Sequence, residues 1–322
     1  MGLYPMDTNL NQYNNSKDTA VLLISHGSTK PYNEEVFTEI CEKFKKSTGF
    51  DTEVGYMKVA SPTIPQAIKN LKDRNENLEN IIAVPVFLAP GIHTKIDIPI
   101  LLGLEPLEED PRCPDGNYPE GHYLNGIEEV DFNGNIKLVD PIGPNKKLLD
   151  IIDNRIETAL KESELSDDVK TGILLVSHGS RLNYNKEFIS QLHSLFKENT
   201  NYPSEFGFME LTDPRIPVSI SNLNEKNNLD RLVVVPVFIA PGMHTTHDIP
   251  IILGLLEEHH HHHDHGHEHS HDHSHDLTKT DFEGEILYPQ PIGADDILIE
   301  ILVKEVEDEL WSWNRNTITF TW

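Results

Sequence analysis

The feature that most constrains the fold of this chain is an internal duplication. Four stretches of the first half return in the second half, in the same order and at nearly the same spacing. They are AVLLISHGS (20–28) and GILLVSHGS (172–180), GYMKVASPTIPQAI (55–68) and GFMELTDPRIPVSI (207–220), VPVFLAPGIHTKIDIPILLGL (84–104) and VPVFIAPGMHTTHDIPIILGL (235–255), and DPIG (140–143) and QPIG (290–293). This pattern is typical of a tandem duplication of one domain-sized module.

The repeat sets the predicted domain organisation. Module 1 is placed at 19–162 and module 2 at 171–310, with a histidine-rich loop at 259–276 that we expect to be disordered. A disordered N-terminus at 1–18 and a tail at 311–322 lie outside the two modules.

Each module is predicted to alternate short buried strands with amphipathic helices. The continuous apolar runs Val21–Ile24 and Ile81–Phe87 are typical of strands that are covered on both faces. Strand–helix alternation indicates a parallel sheet with helices on both faces. The predicted fold class is therefore α/β, with two tandem modules around a central cleft. Ligands of such sheets bind at the carboxyl ends of the strands, where both histidine loops of each module fall.

Composition excludes several classes of protein. The net charge of −27 would repel nucleic acids and anionic membrane surfaces, so neither is an expected partner. Two cysteines cannot form a disulfide framework; Cys41 is interpreted as packed, and Cys113 as either packed or a soft metal ligand. With no apolar run of membrane-spanning length and no signal peptide, the predicted location is cytoplasmic.

Four histidines occupy the strand-end loops. His26 and His178 stand between Ser and Gly, and His93 and His244 follow Pro-Gly. A buried structural histidine is the alternative for any one of them. Two histidines for each module, each at a strand end, favour a partly open metal site or a base–acid pair.

Small polar residues beside these histidines are candidates for helix caps. Ser28 and Thr94 are expected to cap the helices that follow them, and Asp97 to favour the positive helix end. The same expectation holds for their counterparts Ser180, Thr245 and Asp248.

Two acidic residues belong to the second module alone. Glu210 lies near a strand end where the first module has Lys58, and Asp213 precedes a proline where the first module has Ser61. Glu210 is interpreted as a carboxylate that faces the site, with a solvated charge as the alternative.

The most conspicuous local feature is a histidine-rich segment of the second module. Its first-module counterpart, Glu105–Val130, contains only His122. Imidazole binds nickel, cobalt, copper and zinc, so we interpret the segment as an auxiliary metal-buffering loop; a passive solvated loop is the alternative. Its histidines are His259, His260, His261, His262, His263, His265, His267, His269, His271, His273 and His275.

These motifs together resemble the class II chelatases that insert metal into sirohydrochlorin. SHGS, Met-Glu followed by Pro-x-Ile-Pro, VPVFxAPGxHTxxDIP and PIG are similar above all to the small archaeal cobalt or nickel type, over about 19–160 and 171–310. The resemblance implies a sirohydrochlorin cobaltochelatase or nickelochelatase of cobalamin or coenzyme F430 biosynthesis. The alternatives are a ferrochelatase for sirohaem and a non-catalytic nickel or cobalt storage or delivery protein.

The resemblance also implies roles for individual residues. His26 and His178 become proton acceptors and metal ligands, His93 and His244 further metal ligands, and Glu210 catalytic. The implied substrate contacts are Leu88, Ala89, Pro90, Gly91, Ile92, Asp213, Ile239, Ala240, Pro241, Gly242 and Met243. The sequence departs from the family at Lys58 and Ser61, and at Ile96 and His247, where the small enzymes tend to have Arg. The second half is therefore the more complete one.

The implied partners are sirohydrochlorin and a divalent metal ion. Co²⁺ or Ni²⁺ enters as substrate, no organic cofactor is expected, and the chain is expected to act as a monomeric pseudo-dimer, with a higher oligomer left open. A polyacidic substrate needs local cations in so acidic a protein; the candidates are Lys30, Lys95, Arg181 and Arg215.

Overall fold

The computed structural model describes residues 17–113, 117–257 and 278–317. The elements of the first repeat follow the predicted alternation closely. They are β1 (Thr19–Ser25), α1 (Pro31–Thr48), β2 (Asp51–Tyr56), α2 (Ile64–Arg74), β3 (Asn80–Pro85), a π-helical turn (His93–Asp97) that continues into α3 (Ile98–Leu101), β4 (Asn135–Leu138) and α4 (Lys147–Lys161).

The second repeat has the same series of elements. They are β5 (Thr171–Ser177), α5 (Asn183–Asn199), β6 (Ser204–Phe208), α6 (Ile216–Asn227), β7 (Arg231–Pro236), a π-helical turn (His244–Asp248) that continues into α7 (Ile249–Ile252), β8 (Glu285–Leu287) and α8 (Asp296–Thr317). The α/β class with two tandem modules is confirmed.

Each repeat forms one parallel four-stranded sheet. The strand orders are β2-β1-β3-β4 and β6-β5-β7-β8, so the first strand of each repeat pairs with both the second and the third. Every residue of β1 and β5 is buried, which explains the unbroken apolar runs in the sequence. One core cluster packs α2 and α3 against the first sheet, and a second packs α6 and α7 against the other.

The compact units of the chain do not coincide with the sequence repeats. Unit 1 consists of Met1–Gly143 with Ala294–Trp322, and unit 2 of Pro144–Gly293. Helix α8 therefore packs on α1 and β3, and α4 on β7 and α5. Lys43 donates to Asp296 Oδ1 at 2.8 Å at the start of α8, and Arg155 of α4 donates to the Ile292 carbonyl at 2.7 Å. Each unit is completed by the terminal helix of the other repeat.

Within the described ranges, no helix combines the length and the apolar character that a bilayer span requires.

Candidate metal centre

The strand order brings three chain segments to one edge of each sheet. In unit 2, His178 follows β5, Glu210 follows β6, and His244 begins the π-helical turn after β7. Because β5 lies between β6 and β7, the side chains beyond their carboxyl ends meet. In the same order, the corresponding positions of unit 1 hold His26, Lys58 and His93.

The two histidines and the glutamate of unit 2 form a tight cluster. His178 Nε2 lies 3.3 Å from His244 Nε2 and 3.3 Å from Glu210 Oε1. Within residues 17–113, 117–257 and 278–317, these three form the one group of three or more metal-ligating side chains whose ligand atoms all lie within 4.8 Å of one another. Glu210 is 7% exposed, so its carboxylate belongs to the site and is not a solvated surface charge.

Hydrogen bonds on the far side of each ring assign the tautomers in this cluster. His178 Nδ1 lies 2.9 Å from the Gly179 carbonyl, and His244 Nδ1 lies 2.7 Å from Asp248 Oδ2. A carbonyl or carboxylate oxygen only accepts, so each Nδ1 carries the proton and donates it. The Nε2 atoms of the two rings therefore face each other, and His178 Nε2 also faces Glu210, so the three groups can share a cation or a proton.

The ionisation states suit metal binding. Burial lowers the pKa of His178, and the nearby His244 lowers it further, against the opposing effects of the Gly179 carbonyl and Glu210. His178 is therefore neutral at neutral pH and has a free lone pair. Burial alone would raise the pKa of Asp248, but the hydrogen bonds from His244 and His247 outweigh it and lower that pKa, so Asp248 is an anion.

The spacing of the ligand atoms fits one metal ion. Taking a metal–nitrogen length of about 2.1 Å, two ligands at a tetrahedral angle lie roughly 3.4 Å apart. The two separations measured around His178 Nε2 are both 3.3 Å. Two imidazoles with one carboxylate suit first-row divalent ions such as Co²⁺ and Ni²⁺.

A tight backbone contact holds the glutamate in place. Gly179 has φ of +98°, and a Cβ there would lie 1.8 Å from the Glu210 carbonyl oxygen, so no other residue fits. Glu210 N donates to the His178 carbonyl, and Thr212 N donates to the Glu210 carbonyl, which closes a γ-turn at Leu211 with φ of +63°. Positive φ in a non-glycine residue is strained and is retained here at the site. The counterparts with the same geometry are Gly27, Lys58 and Val59.

The predicted substrate loops are anchored by the PIG motif. Gly143 N donates to the Leu88 carbonyl at 3.0 Å, and Gly293 N donates to the Ile239 carbonyl at 2.7 Å. The residues at 88–92 and 239–242 are half-buried, and Met243 is 46% exposed. Substrate contact by these loops stays a prediction, as does contact by Asp213, which lies exposed on the turn after β6.

The expected helix caps are wrong in detail. Thr94 Oγ accepts from the Gly91 amide at 2.9 Å, and Thr245 Oγ does the same from Gly242 at 2.8 Å, so both close the Pro-Gly loop behind them. Ser28 accepts from the amide of Lys30, which stands just before α1 and has no side-chain cap of its own. Ser180 makes the same contact with Leu182 before α5.

Unit 1 also brings its two histidines together, but no third metal-ligating side chain joins them among the residues that the structure describes. The rings of His26 and His93 meet edge to face with centroids 5.0 Å apart. His93 Nδ1 lies 2.6 Å from Asp97 Oδ2, which repeats the histidine–aspartate pair of unit 2. Lys58 occupies the position of Glu210, so a cation replaces the third ligand.

The aspartate of unit 1 is enclosed by a network that the sequence did not reveal. Asp97 is fully buried and accepts hydrogen bonds from Arg112 and from Tyr123. Arg112 also binds Asp110 at 2.7 Å. Burial alone would raise the pKa of Asp97, but these hydrogen bonds and that of His93 outweigh it and lower the pKa. Lys58 Nζ lies 5.2 Å from the Tyr123 ring centroid; burial lowers its pKa, against the attraction of Asp97.

Asp97 and Asp248 stand directly before α3 and α7, and the side chains that they bind are a further finding. Asp97 and Asp248 each bind the histidine four residues earlier, a spacing that places both side chains on one helical face. The His-x-x-x-Asp pattern was the available signal. Cys113 is buried in the Arg112 segment. The predicted auxiliary histidines at 259–275 lie outside the described residues.

Comparisons with known proteins agree on the family to which the chain belongs. The CbiX family model matches residues 20–159 and 172–309. A sirohydrochlorin cobaltochelatase of Methanopyrus kandleri is 38% identical over 144 residues, which are 44% of this chain and 98% of that protein. A sirohydrochlorin cobaltochelatase of Methanocaldococcus jannaschii is 47% identical over 135 residues, 41% of this chain and 94% of that protein. Each relative thus has about the length of one repeat.

Solved structures show the same fold over both repeats. SirB from Bacillus subtilis, solved with Fe³⁺, has a TM-score of 0.62 at 15% identity and covers 90% of this chain and 95% of its own. CbiX, described as the terminal enzyme for sirohaem biosynthesis in denitrifying bacteria, has a TM-score of 0.52 at 13% identity, with 90% and 98% covered. At these identities the likeness establishes the architecture.

Proposed function

Because this chain belongs to the CbiX family, we propose that it inserts Co²⁺ into sirohydrochlorin at the strand edge of unit 2. The chain is a metal chelatase, as the resemblance implied. The observation that carries the proposal is the cluster of His178, Glu210 and His244, with ligand atoms within 4.8 Å of one another. The names of the similar archaeal proteins support cobalt as the metal.

In this proposal the cluster first captures the metal ion. The Nε2 atoms of His178 and His244 and a Glu210 oxygen replace water around the cation. Asp248 fixes the His244 ring through Nδ1 at 2.7 Å and makes the imidazole a stronger ligand. Two neutral ligands and one anion hold the ion firmly enough to dehydrate it, yet leave positions open for the macrocycle nitrogens.

The same residues then serve the proton balance. Insertion of one divalent ion displaces two pyrrole N–H protons. As the ion passes to the macrocycle, His178 Nε2 regains a lone pair that accepts the two protons one after the other. Glu210, whose oxygen lies 3.3 Å from that nitrogen, is placed to take the proton onward. The pKa of His178, lowered by burial, favours its return to the neutral form.

Nickel is the second candidate metal. The divalent affinity order places Ni²⁺ above Co²⁺ for nitrogen ligands, and the cluster has two imidazoles. The histidine-rich composition of 259–275 also favours nickel or cobalt over iron, which stands lower in that order. An insertion product with nickel would belong to coenzyme F430 synthesis, and one with cobalt to cobalamin synthesis.

The test is an anaerobic absorbance assay with sirohydrochlorin and one metal at a time. We expect His178→Ala and His244→Ala to lower kcat/KM for Co²⁺ insertion by about 100-fold or more. The matched controls, His26→Ala and His93→Ala, remove the corresponding side chains from unit 1. They should lower kcat/KM for Co²⁺ insertion by less than about tenfold. Full activity in both unit 2 variants would sink the assignment. Faster insertion of Ni²⁺ than of Co²⁺ at equal free metal would reassign the metal.

A further inference from the structure

The lysine of unit 1 occupies the same backbone position as the glutamate of unit 2. Lys58 N donates to the His26 carbonyl, and its own carbonyl accepts from Ala60 N in a γ-turn at Val59. The identical contacts hold Glu210 in unit 2. The fold therefore places an ammonium group at the point where the other repeat places an anionic metal ligand.

We propose that the strand edge of unit 1 binds a carboxylate through Lys58 and does not bind a metal ion. The proposal rests on the proposed function for the source of that carboxylate, which is an acidic side chain of the tetrapyrrole substrate. It adds a substrate-binding residue that lies outside the predicted loops and outside the cations considered from the sequence.

Charge argues against a metal at this edge. A divalent ion between His26 and His93 would meet a lysine cation in place of the third ligand. The aspartate beside it cannot compensate, because both of its oxygens are already engaged: Asp97 Oδ1 accepts from Arg112, and Oδ2 from His93 and Tyr123. Among the described residues, unit 1 accordingly contains no group of three metal-ligating side chains that meet.

Because Asp97 is already hydrogen-bonded to other side chains, the ammonium of Lys58 is able to bind an incoming anion. The carboxylate that acts on Lys58 is Asp97, and it is hydrogen-bonded to Arg112, whose guanidinium balances part of its charge. Lys58 Nζ lies against the Tyr123 ring, 5.2 Å from its centroid. Its half-buried setting strengthens an ion pair relative to one in bulk water.

Because the chain as a whole is strongly acidic, a lysine at the site is one of few groups that can attract a polyacid. With 53 acidic and 26 basic residues, most of the surface repels a polyacid. A point charge on a flexible stem, such as a lysine ammonium, binds carboxylates of varied orientation. Val59, 65% exposed on the adjacent γ-turn, adds an apolar side chain beside the charge, which suits the edge of a macrocycle that carries acidic substituents.

The experiment measures binding of metal-free sirohydrochlorin to the full chain by fluorescence titration at two salt concentrations. We expect Lys58→Gln to weaken binding about tenfold at low salt, and the difference to shrink at high salt. Lys58→Arg should restore affinity to within about threefold. The matched control, Lys69→Gln, removes an exposed cation of α2 in the same unit and should bind as the wild type does.

A second ligand separates a carboxylate contact from a packing role. The methyl ester of sirohydrochlorin has the same macrocycle without the anions, and the wild type and Lys58→Gln should bind it equally. The proposal is overturned if Lys58→Gln binds the free acid as tightly as the wild type does. It is also overturned if the substitution weakens binding of the ester by the same factor as binding of the free acid. Because no metal is present, these binding results are independent of chelation. If every unit 2 variant kept the cobalt reaction, only the proposed function would be refuted.

Discussion

The two strand-edge sites of this chain share a backbone and differ in charge. Gly27 and Gly179 both have positive φ and both pack against the carbonyl of the second residue after the neighbouring strand. In unit 2 that residue is Glu210, and three ligand atoms meet; in unit 1 it is Lys58. The comparison teaches that the duplicated scaffold fixes where a side chain stands, while one residue decides whether a cation or an anion is bound there.

A second difference lies in the segments inserted after α3 and α7. In unit 1 the insertion returns to the site, where Arg112 and Tyr123 bind the buried Asp97. In unit 2 the corresponding aspartate, Asp248, is 21% exposed and binds His244 and His247. The insertion of unit 1 therefore encloses the aspartate of its pair, while the two histidines stay similarly exposed, His93 at 36% and His244 at 39%.

The largest effect is expected from the residue that distinguishes the two sites. Glu210→Gln keeps the shape and removes the anion, so kcat/KM for cobalt insertion should fall about 100-fold. Glu205→Gln changes a partly exposed carboxylate on the same strand, β6, and should stay near the wild type. If Glu210→Gln retained more than half of the activity in the anaerobic absorbance assay, the carboxylate would not be what separates the units.

Substitution of the two aspartates should have smaller effects, on cobalt affinity in unit 2 and on stability in unit 1. Asp248→Asn weakens the support of His244, and the apparent cobalt affinity should fall about tenfold, as read from the cobalt dependence of initial rates. Asp97→Asn removes the fully buried one of the two anionic partners of Arg112, so it should instead lower the unfolding free energy by about 2 kcal/mol, visible as a lower Tm. An equal loss of cobalt affinity in both variants would show that the units contribute alike.

The smallest effect is expected from the histidine-rich segment. Deletion of 259–275 should leave the rate unchanged at saturating metal and lower it several-fold at limiting free Ni²⁺ or Co²⁺, because the segment is proposed to buffer metal. The control replaces the same stretch with a Gly/Ser linker of equal length. Identical rates of the deletion and the wild type at limiting metal would contradict the buffering role.

Most of the fold could be predicted from the sequence because its signals are local. The buried runs that became β1 and β5, and the glycines after His26 and His178, are determined by neighbouring residues. The partition of the terminal helices could not be predicted. Both α4 and α8 are amphipathic, and no local pattern states which sheet their apolar faces will cover.

The site was predicted in part, for a similar reason. Duplication and strand-end placement indicated the four histidines and Glu210. The contacts of Asp97 were missed, because Arg112 and Tyr123 come from an irregular segment 15 and 26 residues away. From the sequence alone Lys58 is a departure from the family pattern, whereas the retained backbone geometry makes its charge a feature of the site.

The partition of α4 and α8 also has a consequence for synthesis on the ribosome. Unit 2 occupies one continuous stretch of chain, Pro144–Gly293, whereas unit 1 requires the segment from Ala294 onward. The domain that is started first is therefore finished last. While unit 2 is being made, the surface of α1 and β3 that α8 will cover stays open on the nascent chain, and it is buried only after α8 has been synthesised.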